Sequence, residues 1–534
     1  MKDARGRRLS AALLAVAAAG LTACGTTVRE TTTQTAASGG SVVGDDGLSA
    51  AAPTPVGTTT AATVGAAPAG GPTDVVAPPP VVSGATSRAS GGGALATAGP
   101  TAGPTTRSTT PSRAASASAS AASAIPATGK GWDAKYVYVG IITALDAAKG
   151  LSSLGVNLAP GDELGDANAV IAAVNKRGLL FGRQVKLIDQ DNSTASVVAN
   201  PDAVAQEDCT ALTQDKSVVA VINTDASLDT DVLRGCFAQA HTPLVNVTTS
   251  PFDDQDTGKL APYLYNALSV SYTRLTSVFI QHLVSQGYFT GWSATSGGPV
   301  PGAKPVVGIL THDDLSSQRV SAQLVAAVSA LGYKTVTFQY ANQQTDMVGA
   351  VTRMESNGVT HLISADAALF FYRTVAQSQH FRPRLGVSTY DGLQALISTQ
   401  DPASLAGAVG IGWNPSLDVN EAQDPGNVGP GEKQCLADLA AGGQTFSGKR
   451  FAEAVGFAIC DGINLAVLGA QSGHGLDPAS VRVGIVALGA RFPVAGSFGS
   501  GLSSTSFGLP GAARNLIWEI GCGCFRYVGA TFSL

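Results

Sequence analysis

All 17 Phe, 11 Tyr and 4 Trp of this 534-residue chain lie at or after Trp132. Aromatic side chains bring the largest buried area per residue to a core. The first 131 residues therefore build no ordinary core, and the remaining 403 hold the fold. From Gly131 onward, 24 Lys and Arg face 33 Asp and Glu, a net charge of −9. That balance offers no basic patch and argues against nucleic acid as a partner. A polytopic membrane protein is ruled out as well, because the one long uninterrupted apolar stretch stands at the N-terminus.

The N-terminus reads as an address. Lys2, Arg5, Arg7 and Arg8 precede the apolar run 11–19, which leads into Leu21-Thr22-Ala23-Cys24. A basic start, a short apolar stretch and small residues before a cleavage point make a secretory signal. The last four residues also resemble a bacterial lipobox, in which Cys24 would be diacylated and become the mature N-terminus. Two acyl chains suffice for stable anchoring. Residues 25–130 are rich in Thr, Ala, Ser, Gly and Pro with nine charges in 106 residues. Such a segment buries too little apolar surface to offset its ordering entropy, so a disordered stalk is expected. Its coil dimension would be about 60 Å. The expected organisation is thus a signal and lipobox at 1–24, a linker at 25–130 and a binding domain at 131–534.

After the stalk, strand and helix patterns alternate. Strands are expected over 136–142, 184–189, 218–223 and 242–247, with helices over 166–177, 201–216 and 229–240. A second series places helices at 272–286, 316–331, 346–357 and 367–380. Its strands are expected at 305–310, 334–340, 359–364 and 384–388. The strands are continuous Val, Ile and Leu runs, as when both faces are covered. Short loops between alternating elements imply βαβ units and a mostly parallel sheet. Two doubly wound α/β lobes follow, separated by the Gly/Pro/Ser-rich loop 288–304. The remainder has a strand at 408–412, helices near 433–441 and 451–470, and a strand-like run at 515–520. It is too poor in strands for a third lobe and completes the first two. Lobe 1 is expected at about 136–266 and 412–495, and lobe 2 at about 267–411 and 510–534.

The strand opening 137–143, the helix ending Val174-Asn175-Lys176-Arg177-Gly178 and the strand 184–191 resemble a type I periplasmic binding protein. So does the run from Val306 to Asp314, which leads into the helix ending before Gly332-Tyr333. The branched-chain amino-acid-binding group of ABC transporters is the closest branch, and the resemblance covers about 136–534. It departs in the loop 144–165, which is longer than the usual turn after the first strand. The resemblance implies two lobes joined by a hinge that close on a small ligand, and an ABC permease as partner. It implies no cofactor and no catalytic residue.

Ligands in open parallel sheets bind outside the carboxyl ends of the strands. That rule singles out Thr224 and Asp225 after the third strand, and Thr248, Thr249 and Ser250 after the fourth. In the resembling family a Ser/Thr cluster at the latter place holds a ligand carboxylate; turn and cap chemistry before Pro251 is the plainer alternative. In the second lobe Asp366, Tyr390 and Asp391 follow strands. An acid at the Asp391 position pairs with the ligand ammonium in the amino-acid-binding relatives, while an N-terminal cap suits both aspartates equally. Trp413 stacks on a ligand or lines the hinge. His312, Asp313 and Asp314 read as a solvated strand–helix turn rather than a metal or acid–base cluster.

Beyond Cys24 there are Cys209, Cys236, Cys435, Cys460, Cys522 and Cys524, an even number that implies three disulfides in an exported protein. Helices after the second and third strands share a face, so Cys209 and Cys236 can meet, and Cys435 and Cys460 sit on consecutive helices. Each clip stabilises by about 3 kcal/mol in the loop-entropy model. In an extended strand Cys522 and Cys524 would have Cα atoms about 6.6 Å apart, near the limit for a bridge unless Gly523 turns the chain. No histidine is spaced to make a zinc site with them. The apolar stretch 451–471 has the length of a membrane span, but Glu453, Asp461 and Asn464 recur along it, and a buried helix is the better reading.

The leading expectation is a lipid-anchored solute-binding protein on the extracytoplasmic face of the cell membrane. It would capture an amino-acid-like ligand for an ABC importer. The alternative is a ligand-sensing or interaction lipoprotein with the same fold and no transport role, motivated by the long stalk. An exported enzyme stands third, since no H-E-x-x-H, P-loop or G-x-S-x-G occurs.

Overall fold

The computed structural model describes residues 125–534 apart from 145, 154–158, 179, 342–344, 366–374, 376–379, 400 and 427–428. The signal, Cys24, nearly all of the stalk and Asp366 lie outside the described residues, as does most of the helix expected at 367–380.

Two sheets organise the chain. The first has the order β2-β1-β3-β4-β5 and is parallel throughout. Its strands are β1 (Tyr136–Thr143), β2 (Gln184–Asp191), β3 (Ala220–Asn223), β4 (Leu244–Asn246) and β5 (Leu264–Asn266). β1 and β2 pair without a slip from Tyr136 opposite Gln184 to Thr143 opposite Asp191. A two-stranded hairpin, β6 (Trp292–Ser293) and β7 (Gly298–Pro299), folds the loop that precedes the second sheet. The second sheet runs β14-β13-β12-β11-β10-β8-β9. It is built from β8 (Val306–His312), β9 (Lys334–Tyr340), β10 (His361–Ser364), β11 (Arg384–Ser388) and β12 (Val409–Gly412), all parallel. The antiparallel β13 (Ala512–Glu519) and β14 (Cys524–Ser533) extend it at one side.

The helices follow local rules. The first two are α1 (Ala147–Ser153), inside the long loop after β1, and α2 (Glu163–Arg177). Asp162 caps α2 by accepting the Gly165 N–H, and Gly178 stops it in the left-handed region at φ 68°, a conformation glycine adopts without a Cβ clash. Next come α3 (Thr194–Ala199) and α4 (Pro201–Thr210), the latter opened by Pro201 and continued as a π-turn over Ala211–Asp215. α5 (Asp231–Gln239), α6 (Asp254–Leu260), α7 (Tyr272–Ser285), α8 (Leu315–Ala330) and α9 (Met347–Ser356) follow, then α10 (Leu393–Thr399) and α11 (Pro415–Asp418). The last are α12 (Glu432–Ala441), α13 (Arg450–Gly473) and α14 (Pro478–Leu488).

The chain passes between the two sheets three times: after β5, after β12 and again before β13. The helices α12–α14 return to the first sheet, where Ile459, Ile463 and Val467 share one core with Val137, Val139, Val170 and Val174. α13 is the helix long and apolar enough to cross a membrane, yet it sits inside this core. The carboxylate of its Asp461 is satisfied there by the N–H groups of Ala495 and Gly496 at 2.8 and 3.1 Å.

Three disulfides clip the fold: Cys209–Cys236, Cys435–Cys460 and Cys522–Cys524. At the last, Gly523 takes φ 60° and brings the two Cα atoms to 5.2 Å, inside the usual range. The sequence reading omitted α1, α3, α6, α10, α11, α14, β5, β6, β7 and β14. β5 is three residues long, too short to show a period. β14 is an outer strand that is buried mainly in its first half, at Cys524, Phe525 and Tyr527, and lacks the continuous apolar run of a central one.

Candidate ligand-binding cleft

With the order β2-β1-β3-β4-β5, the first sheet reverses its direction of growth between β1 and β3. A crevice opens at such a switch point, at the carboxyl ends of the strands. A cavity of about 290 Å³ lies there, close to the lower end of small-molecule sites, which start at about 300 Å³. The segment after every strand of the sheet contributes. Ala144 and Ala147 follow β1, Thr194, Val197 and Val198 follow β2, and Thr224–Ser227 follow β3. Val247, Thr248 and Thr249 follow β4, and Leu268 follows β5. Leu268 and Leu417 stand on two of the segments that pass between the sheets, while Phe451, Ala454 and Val455 of α13 form an apolar wall.

Glu163, at the first position of α2, gives the cavity its chemistry. It is 6% exposed and lines the cavity. Its Oε2 lies 2.6 Å from Thr224 Oγ1, which is also 2.9 Å from the Ile142 carbonyl. Burial pushes the Glu163 carboxyl up to about 7, against the opposing pull of the Thr224 hydrogen bond. Asp225, also in the lining, is raised by burial while its Oδ1 accepts the Ser227 N–H at 2.8 Å. One turn along α2, Asp166 is fully buried with neither carboxylate oxygen hydrogen-bonded, and burial pushes it up to about 7 as well. The sequence reading missed Glu163 because it begins the helix at 166 and leaves Glu163 in the long loop before it, whereas the helix opens at Glu163 itself.

The residues singled out from sequence separate into two groups. Thr224, Asp225, Thr248 and Thr249 line the cavity. Ser250 lies just behind it, 3.2 Å from the Thr248 hydroxyl. Tyr390, Asp391 and Trp413 are at most 1% exposed and stand outside this lining. The Tyr390 hydroxyl donates to the Val270 carbonyl at 2.5 Å, and Trp413 Nε1 donates to the Leu268 carbonyl at 2.8 Å. Both rings thus fasten the first passage between the sheets, with their centroids 5.3 Å apart. Asp391 closes a capping box: the Ser388 N–H donates to its Oδ2 at 2.7 Å. Asp314 caps α8 through the Ser317 N–H, with His312 Nδ1 3.1 Å away. Among the described residues no group of three or more His, Cys, Asp or Glu is arranged to hold a metal ion.

The comparisons agree with this geometry. The family model for periplasmic binding proteins matches residues 151–425. Among solved structures, a branched-chain amino acid ABC transporter protein from Thermus thermophilus with bound valine superposes with TM-score 0.52 at 13% identity. That match covers 75% of this chain and 97% of the other. A leucine-binding protein from Thermotoga maritima superposes with TM-score 0.51 at 11% identity, over 74% of this chain and 98% of the other. A solute-binding protein from R. palustris in complex with 4-hydroxybenzoate gives 0.50 at 14% identity, over 74% and 97%. A search of curated protein sequences finds no match. The likeness to the solved structures is one of fold, and the family is one of solute-binding proteins rather than enzymes. With the family match spanning more than half of its length, the chain belongs to the type I periplasmic binding proteins.

Proposed function

We propose that this protein is an extracytoplasmic, lipid-anchored solute-binding protein that captures a small amphipathic ligand of amino-acid type for an ABC importer. The observation that carries the reading is the cavity of about 290 Å³ at the switch point of the first sheet, bordered by two segments that pass between the sheets. Movement about those segments would open and close the site, the usual way two-lobed binders sequester a ligand. Thr224, Thr248 and Thr249 are the proposed polar contacts, with Leu268, Leu417 and Phe451 against the ligand's apolar part. The family supports an extracytoplasmic location, and Leu21-Thr22-Ala23-Cys24 supports a diacylated Cys24 as the anchor.

The test is a thermal-shift screen of the purified full chain against amino acids, small amines, aromatic acids and sugars. A ligand at 100 times its Kd stabilises by about 2.7 kcal/mol, enough to move the midpoint visibly. A shift from one chemical class supports the reading, and no shift from any class contradicts it. Anchoring is tested separately: Cys24→Ala should release the protein from membranes, and retention of the variant would contradict lipidation. The 106 residues between Cys24 and Gly131 favour a second reading, a ligand sensor held away from any permease. Loss of solute uptake on deletion would exclude it.

A further inference from the structure

The cavity is lined by two carboxylates. A hydroxyl has one proton to give, and three of the four threonines in the lining have already committed theirs. Thr194 donates to Asp146 Oδ1 at 2.6 Å. Thr224 lies between the Ile142 carbonyl and Glu163 Oε2, so in either protonation state of Glu163 no donor is left over. Thr248 lies 3.3 Å from Asp229 Oδ2 and 3.2 Å from Ser250 Oγ. The N-terminus of α2, which would otherwise favour an anion, is filled by Asp162, whose Oδ1 accepts the Gly165 N–H at 2.9 Å.

The ionisable groups of the lining are both acids, Glu163 and Asp225, with no Lys, Arg or His beside them. Around these stand Asp166, Asp191 and Asp146, the last of which feels the charge of Lys149. Glu163 Oε1 receives no hydrogen bond from the described residues, although the side chain is 6% exposed. An anionic ligand here would meet two carboxylates in a place of low dielectric, whereas a cation would relieve them. Most of the remaining lining is apolar, with Val197, Val198, Val247, Leu268, Leu417 and Phe451 among it, as an organic ammonium needs and a bare metal ion does not.

We infer that the ligand presents a cationic amine on an apolar body to this lobe, held by Glu163 and Asp225, and that a carboxylate is not the group bound there. The inference rests on the solute-binding reading above and names the charge of the group that the first lobe takes.

Matched pairs test it by titration calorimetry on the full chain at pH 7.5. The pairs are 3-methylbutylamine with 4-methylpentanoate, and 2-phenylethylamine with 3-phenylpropanoate. The expected result is at least tenfold tighter binding of the amine in each pair. Glu163→Gln keeps an acceptor for Thr224 and removes the charge, so the amine should then bind at least tenfold more weakly, with a melting midpoint no lower than that of the unaltered chain. Asp225→Asn serves the same purpose should the first variant fail to fold. Amine affinity in the unaltered chain should fall as pH drops below about 7, where Glu163 takes up a proton. Tighter binding of the carboxylates, an unaffected Glu163→Gln variant, or no binding by any of the four compounds would each overturn the inference. The solute-binding reading would then stand or fall on the wider screen, in which sugars, aromatic acids and amino acids are scored independently.

Discussion

Tyr527 on β14 donates its hydroxyl to Asp418 Oδ2 across 2.6 Å, with both residues buried in the core. The same oxygen accepts from Thr389 Oγ1 at 2.9 Å and from the Asn414 N–H at 3.1 Å. Asp418 ends α11, on the second passage between the sheets, so three elements of the second lobe are tied to one carboxylate at the root of that passage. The site leaves no room for a side chain at Gly412, where a Cβ would lie 2.2 Å from Asp418 Oδ2.

Asp418→Ala should therefore be among the costliest single changes outside the hydrophobic cores. It strands three buried donors, and leaving even one unpaired costs about 1–3 kcal/mol. Tyr527→Phe removes a single donor and should cost about 1–1.5 kcal/mol. Urea unfolding of the two variants checks the order, and equal losses would contradict the shared-acceptor account.

Stability should rise as the pH falls from 8 towards 5. Burial holds Glu163, Asp166, Asp208, Asp418 and Asp461 up at about 7, whereas an unfolded carboxyl titrates near about 4. Between those values the folded chain binds more protons than the unfolded one, so raising the pH costs stability. The contribution is complete below about 4 and is lost as the pH passes about 7. Melting midpoints across this range are the measurement, and a midpoint that climbs from pH 5 to 8 would contradict the burial of these acids.

Arg319 of α8 joins the second sheet's helices to Asp253 and Asp256 at the start of α6. Its Nε contacts Asp253 Oδ2 at 2.6 Å and its Nη2 contacts Asp256 Oδ1, while Ser316 Oγ donates to Asp256 Oδ2 at 2.8 Å. Arg319→Ala leaves two carboxylates facing each other without their cation, at a cost of about 1–3 kcal/mol. Small-angle scattering should show a larger radius of gyration as the lobes loosen, and an unchanged radius would place this cluster outside the hinge.

Removing Cys209–Cys236, which spans 27 residues, should cost about 3.5 kcal/mol by loop entropy. Removing Cys522–Cys524, which spans two, should cost about 1.5 kcal/mol by the same relation. Denaturation of the paired serine variants checks the order.

The architecture was legible where a strand is buried on both faces. β1, β8 and β11 stand as continuous apolar or β-branched runs, and their helices carry a cap at one end or a glycine at the other. The polar part of the cleft was partly legible from one rule, that ligands sit beyond strand ends, and Thr224, Asp225, Thr248 and Thr249 follow from it. Tyr390, Asp391 and Trp413 also follow strand ends but are buried outside this cavity: Trp413 stands where the chain leaves the second sheet after β12, and Asp391 caps the turn after β11. Glu163 was hidden because the helical pattern is read only from 166 onward, which leaves it in a loop, and because its role depends on a neighbour 61 positions away, Thr224.

The most direct test of solute capture in this cavity is a calorimetric titration of the best ligand from the thermal-shift screen into the unaltered chain and into Ser227→Trp. Ser227 is exposed at the edge of the lining, so an indole there obstructs the cavity without entering a core. The account predicts one-to-one binding to the unaltered chain and at least tenfold weaker binding to the variant, with equal melting midpoints for the two unliganded proteins. Equal affinity for both proteins, or no ligand for the unaltered chain, would contradict it.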